Sequence, residues 1–224
     1  MSADQWIFFD LGWTLVDETA AFLERFDRLR RRAPHFANVS DEEFLRTCER
    51  HASRFASSPF LSALRSFAPS TSIELPDVPG FDHSLERLYP GVPDLLSGLA
   101  KSFRLGLIAN QSAGTAGRLG ELGIREAFSL IVSSTEVGLA KPDERIFALA
   151  ESMADCRPEA ATMVGDRLDN DIAPAKLRGW QTVRVLQGFS RYQQARSDAE
   201  RPHRTIQAIG GFTPDVAAAD DGVR

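Results

Sequence analysis

Trp6-Ile7-Phe8-Phe9-Asp10-Leu11-Gly12-Trp13-Thr14-Leu15-Val16-Asp17 begins with four consecutive large apolar residues and turns acidic at Asp10. An apolar run of this length, without polar alternation, predicts a strand covered on both faces, as in a parallel sheet flanked by helices. Asp10 then stands at the carboxyl end of a first strand. In an open parallel sheet that edge is where ligands bind. Taken alone, such an aspartate is as readily a helix cap or loop device as a nucleophile or a metal ligand.

Working outward, similar apolar runs recur at 104–109, 130–133, 161–165 and 182–186. Between them lie helical patterns at 92–102, 113–121, 143–154 and 171–178, and this alternation is the signature of βαβ units. Gly123 and Gly179 fall where helices should stop. The stretch 18–88 breaks the rhythm with consecutive helical patterns at 18–32, 41–55 and 60–67. Glu24 precedes Arg28 by four residues, Ser40 is placed as an N-cap, and Glu43 stands at the capping-box position. The expectation is an α/β core over 1–17 and 89–224, with a helical insertion over 18–88. Arg30, Arg31 and Arg32 read as a solvated face. After the insertion's helices comes a Pro/Ser-rich loop to Gly80. The tail carries one short amphipathic stretch around Ile206 and frayed residues over 217–224.

Composition narrows the function. With 25% charged and 43% hydrophobic residues the chain has an ordinary globular make-up. A formal net charge of −5 argues against a nucleic-acid partner. No run reaches membrane-spanning length, and the first residues lack the pattern of a secretory signal. Cys48 and Cys156 form no metal-type pair and are expected as reduced thiols of a cytoplasmic protein.

The second acidic motif is Thr162-Met163-Val164-Gly165-Asp166-Arg167-Leu168-Asp169-Asn170-Asp171-Ile172. It places Asp166 at another strand end, so Asp10 and Asp166 can face a common point. Clustered carboxylates repel unless a cation neutralises them, and hard oxygen donors suit Mg²⁺. Asp171 is a candidate for the outer shell of that metal, whereas Asp169 reads as a helix N-cap. Between the motifs lies Gly138-Leu139-Ala140-Lys141-Pro142-Asp143. Lys141 is one of only three lysines, with Lys101 and Lys176. Held beside a proline that should open a helix, its ammonium can bridge a nucleophilic carboxylate and a transferring phosphoryl group.

In this order, the strand-end Asp, the Lys-Pro and the Gly-Asp-x-x-x-x-Asp resemble the haloacid dehalogenase superfamily, in the branch with a helical cap after the first strand. Tyr89-Pro90-Gly91-Val92-Pro93-Asp94-Leu95-Leu96, followed by the run at 104–109, is similar to that branch's entry into its second core strand. The resemblance implies a Rossmann-like core with a mobile cap. It also implies a Mg²⁺-dependent hydrolase acting on a small phosphorylated metabolite. Asp10 would attack phosphorus, and an aspartyl-phosphate would form and be hydrolysed. The metal would be held by Asp10, the Gly12 carbonyl and Asp166, with Lys141 stabilising the phosphoryl charge and Thr14 ordering the loop after the nucleophile.

Two departures bear on chemistry. Phosphatases of this family usually carry a second aspartate, the general acid and base, where this chain has Gly12; Trp13 follows where glycine is common. The expected Ser or Thr before Asn110 is Ala109, which leaves backbone amides near Asn110 and the Ser112 hydroxyl as candidate phosphoryl donors. Three expectations follow. The first is a phosphatase that favours good leaving groups or takes its acid from the cap, a water or the substrate. The others are a carbon–halogen hydrolase, disfavoured by the intact Gly165-Asp166, and a non-catalytic binding protein. The substrate and the oligomeric state have no sequence motif.

Overall fold

A computed structural model describes residues 5–68 and 78–213. Most of the Pro/Ser-rich loop and the tail at 217–224 lie outside the described residues. Strand β1 (Trp6–Phe9) sits in the middle of a six-stranded sheet. It is flanked by β4 (Arg104–Ala109) and β6 (Ala161–Gly165), both parallel to it. Beyond β4 lies β5 (Leu130–Ser133). Beyond β6 lie β7 (Gln181–Val185) and β8 (Arg204–Ile206), giving the order β5-β4-β1-β6-β7-β8. The chain therefore builds outward from β1 to one side and then crosses to the other. That reversal opens a crevice at the carboxyl ends of β1, β4 and β6.

Strand period fixes the two faces of this sheet. Ile7 and Phe9 enter one hydrophobic cluster with Leu105, Leu107 and Phe128. Trp6 and Phe8 enter the other with Phe147, Met163 and Trp180. The crossover helices are α4 (Val92–Leu99), α5 (Thr115–Glu121), the short α6 (Ser134–Val137), α7 (Glu144–Ala154) and α8 (Ala173–Leu177). Gly123 and Gly179 follow α5 and α8 with φ of 74° and 87°, the left-handed region that ends a helix cheaply only for glycine.

One sequence expectation changes here, and another gains a definite conformation. The helix placed at 171–178 begins only at Ala173, because 168–172 form one wide π-type turn. In it, the amides of Asp171 and Ile172 both donate to the Arg167 carbonyl. The amphipathic stretch around Ile206 is β8, the sheet's edge strand, since pairing with β7 determines a conformation that three residues cannot determine themselves.

Residues 18–88 contain α1 (Thr19–Arg30), α2 (Asp41–Ala52) and α3 (Pro59–Phe67). Their apolar faces form a third cluster, centred on Phe26, Phe44 and Phe60. The Phe26 and Phe44 rings stack with centroids 3.9 Å apart. Ser40 Oγ accepts from the Glu43 amide at 3.2 Å, and Arg28 pairs with Glu24 at 2.8 Å. Arg30 pairs with Asp27 and Asp41, and Arg31 with Asp27, so both arginines are satisfied within the helical segment itself. A two-residue antiparallel ribbon, β2 (Val16–Asp17) with β3 (Arg87–Leu88), brings the segment's entry and exit together. Buried Gln193 joins it to the sheet side, accepting from the Leu168 amide at 2.9 Å and donating to the Ala52 carbonyl at 3.0 Å. Among the described residues no helix is long and apolar enough to cross a membrane.

Candidate active site

Three elements deliver three carboxylates to the crevice. Asp10 follows β1, Asp166 follows β6, and Asp171 is turned back by the wide turn after β6. One carboxylate oxygen from each lies within 4.8 Å of the other two. Asp166 and Asp171 are buried, and Asp10 is largely so. Gly165 makes this convergence possible. A Cβ there would sit 2.5 Å from the Asp171 carboxylate, so any side chain would expel it.

Lys141 supplies the compensating cation. Its Nζ donates to Asp10 Oδ1 and to Asp171 Oδ1, each at 2.6 Å, and its side chain is 2% exposed. Burial pulls the ammonium down, but Asp10 and Asp171 outweigh it and the net shift is upward. The Asn110 side chain fixes this lysine by a two-point clamp on its backbone. Nδ2 donates to the Lys141 carbonyl at 2.7 Å, and Oδ1 accepts from the Lys141 amide at 2.8 Å.

One ammonium does not balance three carboxylates. Burial, then Asp171 and Asp10, hold Asp166 well above the ordinary carboxylate range. Asp171 is pushed up to about 6 by burial, against the pull of Lys141. These groups fit a divalent cation. Hard carboxylate oxygens converging within 4.8 Å of one another are the donor type that Mg²⁺ takes. Asp10, Asp166 and the Gly12 carbonyl are the candidate holders. Both Asp171 oxygens are already engaged, Oδ1 by Lys141 and Oδ2 by the Arg167 amide at 3.0 Å, which makes Asp171 a supporting partner.

A cavity of about 150 Å³ opens onto these groups, lined also by Gly12, Asn110, Gln111 and Ser190. Trp13, Phe22 and Phe189 form its apolar wall, with the Trp13 and Phe189 rings 4.5 Å apart. Trp13 adopts φ 59°, a left-handed conformation rare for a bulky residue. Its side chain packs against Gly188, where an added Cβ would approach the Trp13 Cβ to 2.5 Å and its ring to 2.7 Å.

Several expected site residues sit elsewhere. Thr14 is fully buried and does not line the cavity; its Oγ1 donates to Asp10 Oδ2 at 3.4 Å. The Ser112 hydroxyl is engaged outside the cavity by His83 Nε2 at 3.1 Å and Arg118 Nη1 at 3.2 Å. The Gln111 amide, next to Asn110, donates to Ser134 Oγ at 3.0 Å instead of into the cavity. Asp169 caps no helix; its carboxylate pairs with Arg167 at 2.7 Å.

One residue escaped the sequence reading altogether. Glu18, taken as the first residue of a helix, turns its carboxylate into the cavity beside Gly12. Burial, helped by Glu86, Asp10 and Asp166, pushes it up to about 8. No local motif marks it; the one signal was Gly12, at a position where the family resemblance implies a carboxylate.

The sheet order, the carboxylates at its reversal point and the lysine between them define a class of α/β protein with an aspartate–lysine–aspartate centre. The chain belongs to the haloacid dehalogenase-like hydrolase family, whose profile matches residues 7–185. Over 116 residues it is 37% identical to glyceraldehyde 3-phosphate phosphatase of Methanopyrus kandleri, covering 51% of this chain and 50% of the relative. Over 108 residues it is 37% identical to phosphoserine phosphatase of Thermus thermophilus, covering 46% and 43%. The chain thus spans about half the length of the curated relatives it matches. At the level of fold, it is similar to the magnesium-bound putative hydrolase YfnB of Bacillus subtilis. The TM-score is 0.65 at 19% identity, covering 92% of this chain and 95% of that one.

Proposed function

We propose that this chain is a Mg²⁺-dependent phosphatase of small phosphorylated metabolites that works through an aspartyl-phosphate on Asp10. The observation carrying the reading is the pair of 2.6 Å contacts by which Lys141 joins Asp10 to Asp171 at the cavity floor. An unshielded carboxylate attacks an anionic phosphoryl group poorly, because like charges meet. Here a buried ammonium stands against the nucleophile, where it offsets charge on the incoming phosphoryl oxygens at no cost in reorganisation. Bound Mg²⁺ would add Lewis-acid stabilisation of the same oxygens. Asp10 would displace the leaving group, and water would then cleave the acyl-phosphate and return the carboxylate. Asn110 would keep Lys141 in register throughout. The names of the phosphatase relatives support the substrate class, and residues 18–88 would act as a cap that covers the cavity. The test is a panel of phosphate esters assayed with Mg²⁺ and with chelator. Wild type should turn over only with the metal, and Asp10→Asn should be inactive. Equal rates in both proteins would refute the reading.

A further inference from the structure

Gly12 removes the side chain that would ordinarily exchange protons with the leaving group, yet the space beside it is filled. A Cβ built on Gly12 would lie 2.9 Å from Glu18 Cδ and 3.1 Å from Oε2, with Oε1 closer still. A carboxyl group therefore already stands where a side chain at position 12 would begin. It is delivered from six residues downstream and from a different backbone segment, the residue that immediately precedes α1. It lines the same cavity as Asp10, Lys141 and Asp166.

Glu18 has no evident structural employment. It holds the N-cap position of α1 with φ −99° and ψ 5°, but its side chain makes no capping hydrogen bond. Among the described residues it forms no ion pair. The other carboxylates at the cavity are committed: Asp10 and Asp171 to Lys141, and Asp166 to the candidate metal position. Among the described residues no histidine lines the cavity, and His83 is tied to Glu86, Ser112 and Arg118.

We infer that Glu18 is the general acid and base of this chain, standing in for the side chain that Gly12 lacks. The inference rests on the phosphatase reading above. In the first step an Asp10 oxygen bonds to phosphorus and the bond to the leaving oxygen breaks. That oxygen keeps the electron pair and takes the proton of the Glu18 carboxyl. In the second step water bonds to phosphorus, and the bond to Asp10 breaks with its electron pair returning to the carboxylate. Glu18 takes the water's proton and is restored. Ester and water become alcohol and phosphate, and every proton is accounted for.

The test uses matched alkyl and aryl phosphates, whose leaving groups do and do not need a proton. Glu18→Gln keeps size and shape, so it should fold as wild type does. Its kcat on alkyl esters should fall by about 10²–10⁴-fold, with KM changed little. Aryl esters should still phosphorylate Asp10. Because the base for the second step is gone, phosphoenzyme should accumulate and appear as a burst, with 80 Da added to the protein in acid-quenched mass spectra (on the order of one phosphoryl per chain). Glu18→Ala combined with Gly12→Asp, which returns the carboxyl to position 12 and clears the collision, should recover alkyl turnover at least tenfold over Glu18→Ala alone. Glu18→Gln turning over alkyl esters within about threefold of wild type would overturn the inference while leaving the phosphatase reading intact. Absence of turnover and of phosphoenzyme in wild type would overturn both.

Discussion

Replacing Lys141 by methionine tests whether this centre is held together by charge. Methionine keeps the length and most of the volume of the side chain, so the change removes the ammonium with little loss of packing. At an effective dielectric constant of about 20, each 2.6 Å contact is worth roughly 6 kcal/mol before desolvation, and there are two of them. Burial of the lysine consumes much of that. What remains in Lys141→Met is three carboxylates within 4.8 Å of one another and no protein cation between them. Breaking a buried pair by removing one partner typically costs about 3–5 kcal/mol. In a chain of this size that corresponds to a drop in Tm of roughly 6–20 °C. The assay is urea or thermal unfolding in chelator, so that no metal takes the lysine's place. Lys141→Met/Asp171→Asn should regain about 1–3 kcal/mol, because the lost ammonium and the neutralised carboxylate are coupled. A single variant within about 1 kcal/mol of wild type, or a double variant no better than the single, would refute the electrostatic account.

Gly165→Ala should destabilise by about 1–3 kcal/mol, since its methyl group meets the Asp171 carboxylate at 2.5 Å; Gly165→Ala/Asp171→Ala should recover part of the loss on thermal unfolding. Phe26→Ala should cost about 3–5 kcal/mol, because the ring is fully buried and stacked on Phe44; denaturant titration reads it directly. Mg²⁺ at about 100 times its Kd should stabilise wild type by about 2.7 kcal/mol. Asp166→Asn should lose that increment, and the heat of Mg²⁺ binding by calorimetry, while being no less stable than wild type in chelator. An unchanged Mg²⁺ response in Asp166→Asn would move the metal away from β1 and β6.

Much of this molecule is written locally. The nearly continuous apolar runs at Trp6–Phe9, Arg104–Ala109 and Ala161–Gly165 specify strands, because a strand covered on both faces buries successive residues along its length. Ser40 and Gly123 mark helix ends through groups within a few residues of themselves. That Asp10, Lys141 and Asp166 would meet followed from their places at strand ends and a crossover. Which atom each side chain touches was settled by competition among groups far apart in sequence. Lys141 reaches Asp10 across 131 positions, and Ser112 is drawn away from the cavity by His83, 29 positions earlier. The wide turn before α8 aims Asp171 at Lys141, and pairing with β7 makes Arg204–Ile206 a strand. Above all, sequence could register a glycine at position 12 where the family resemblance implies a carboxylate, but only the packed structure brings Glu18 beside it. Periodicity dictates backbone conformation, which short-range sterics govern. The direction of a polar side chain depends on which partners the completed fold places within about 3 Å of it.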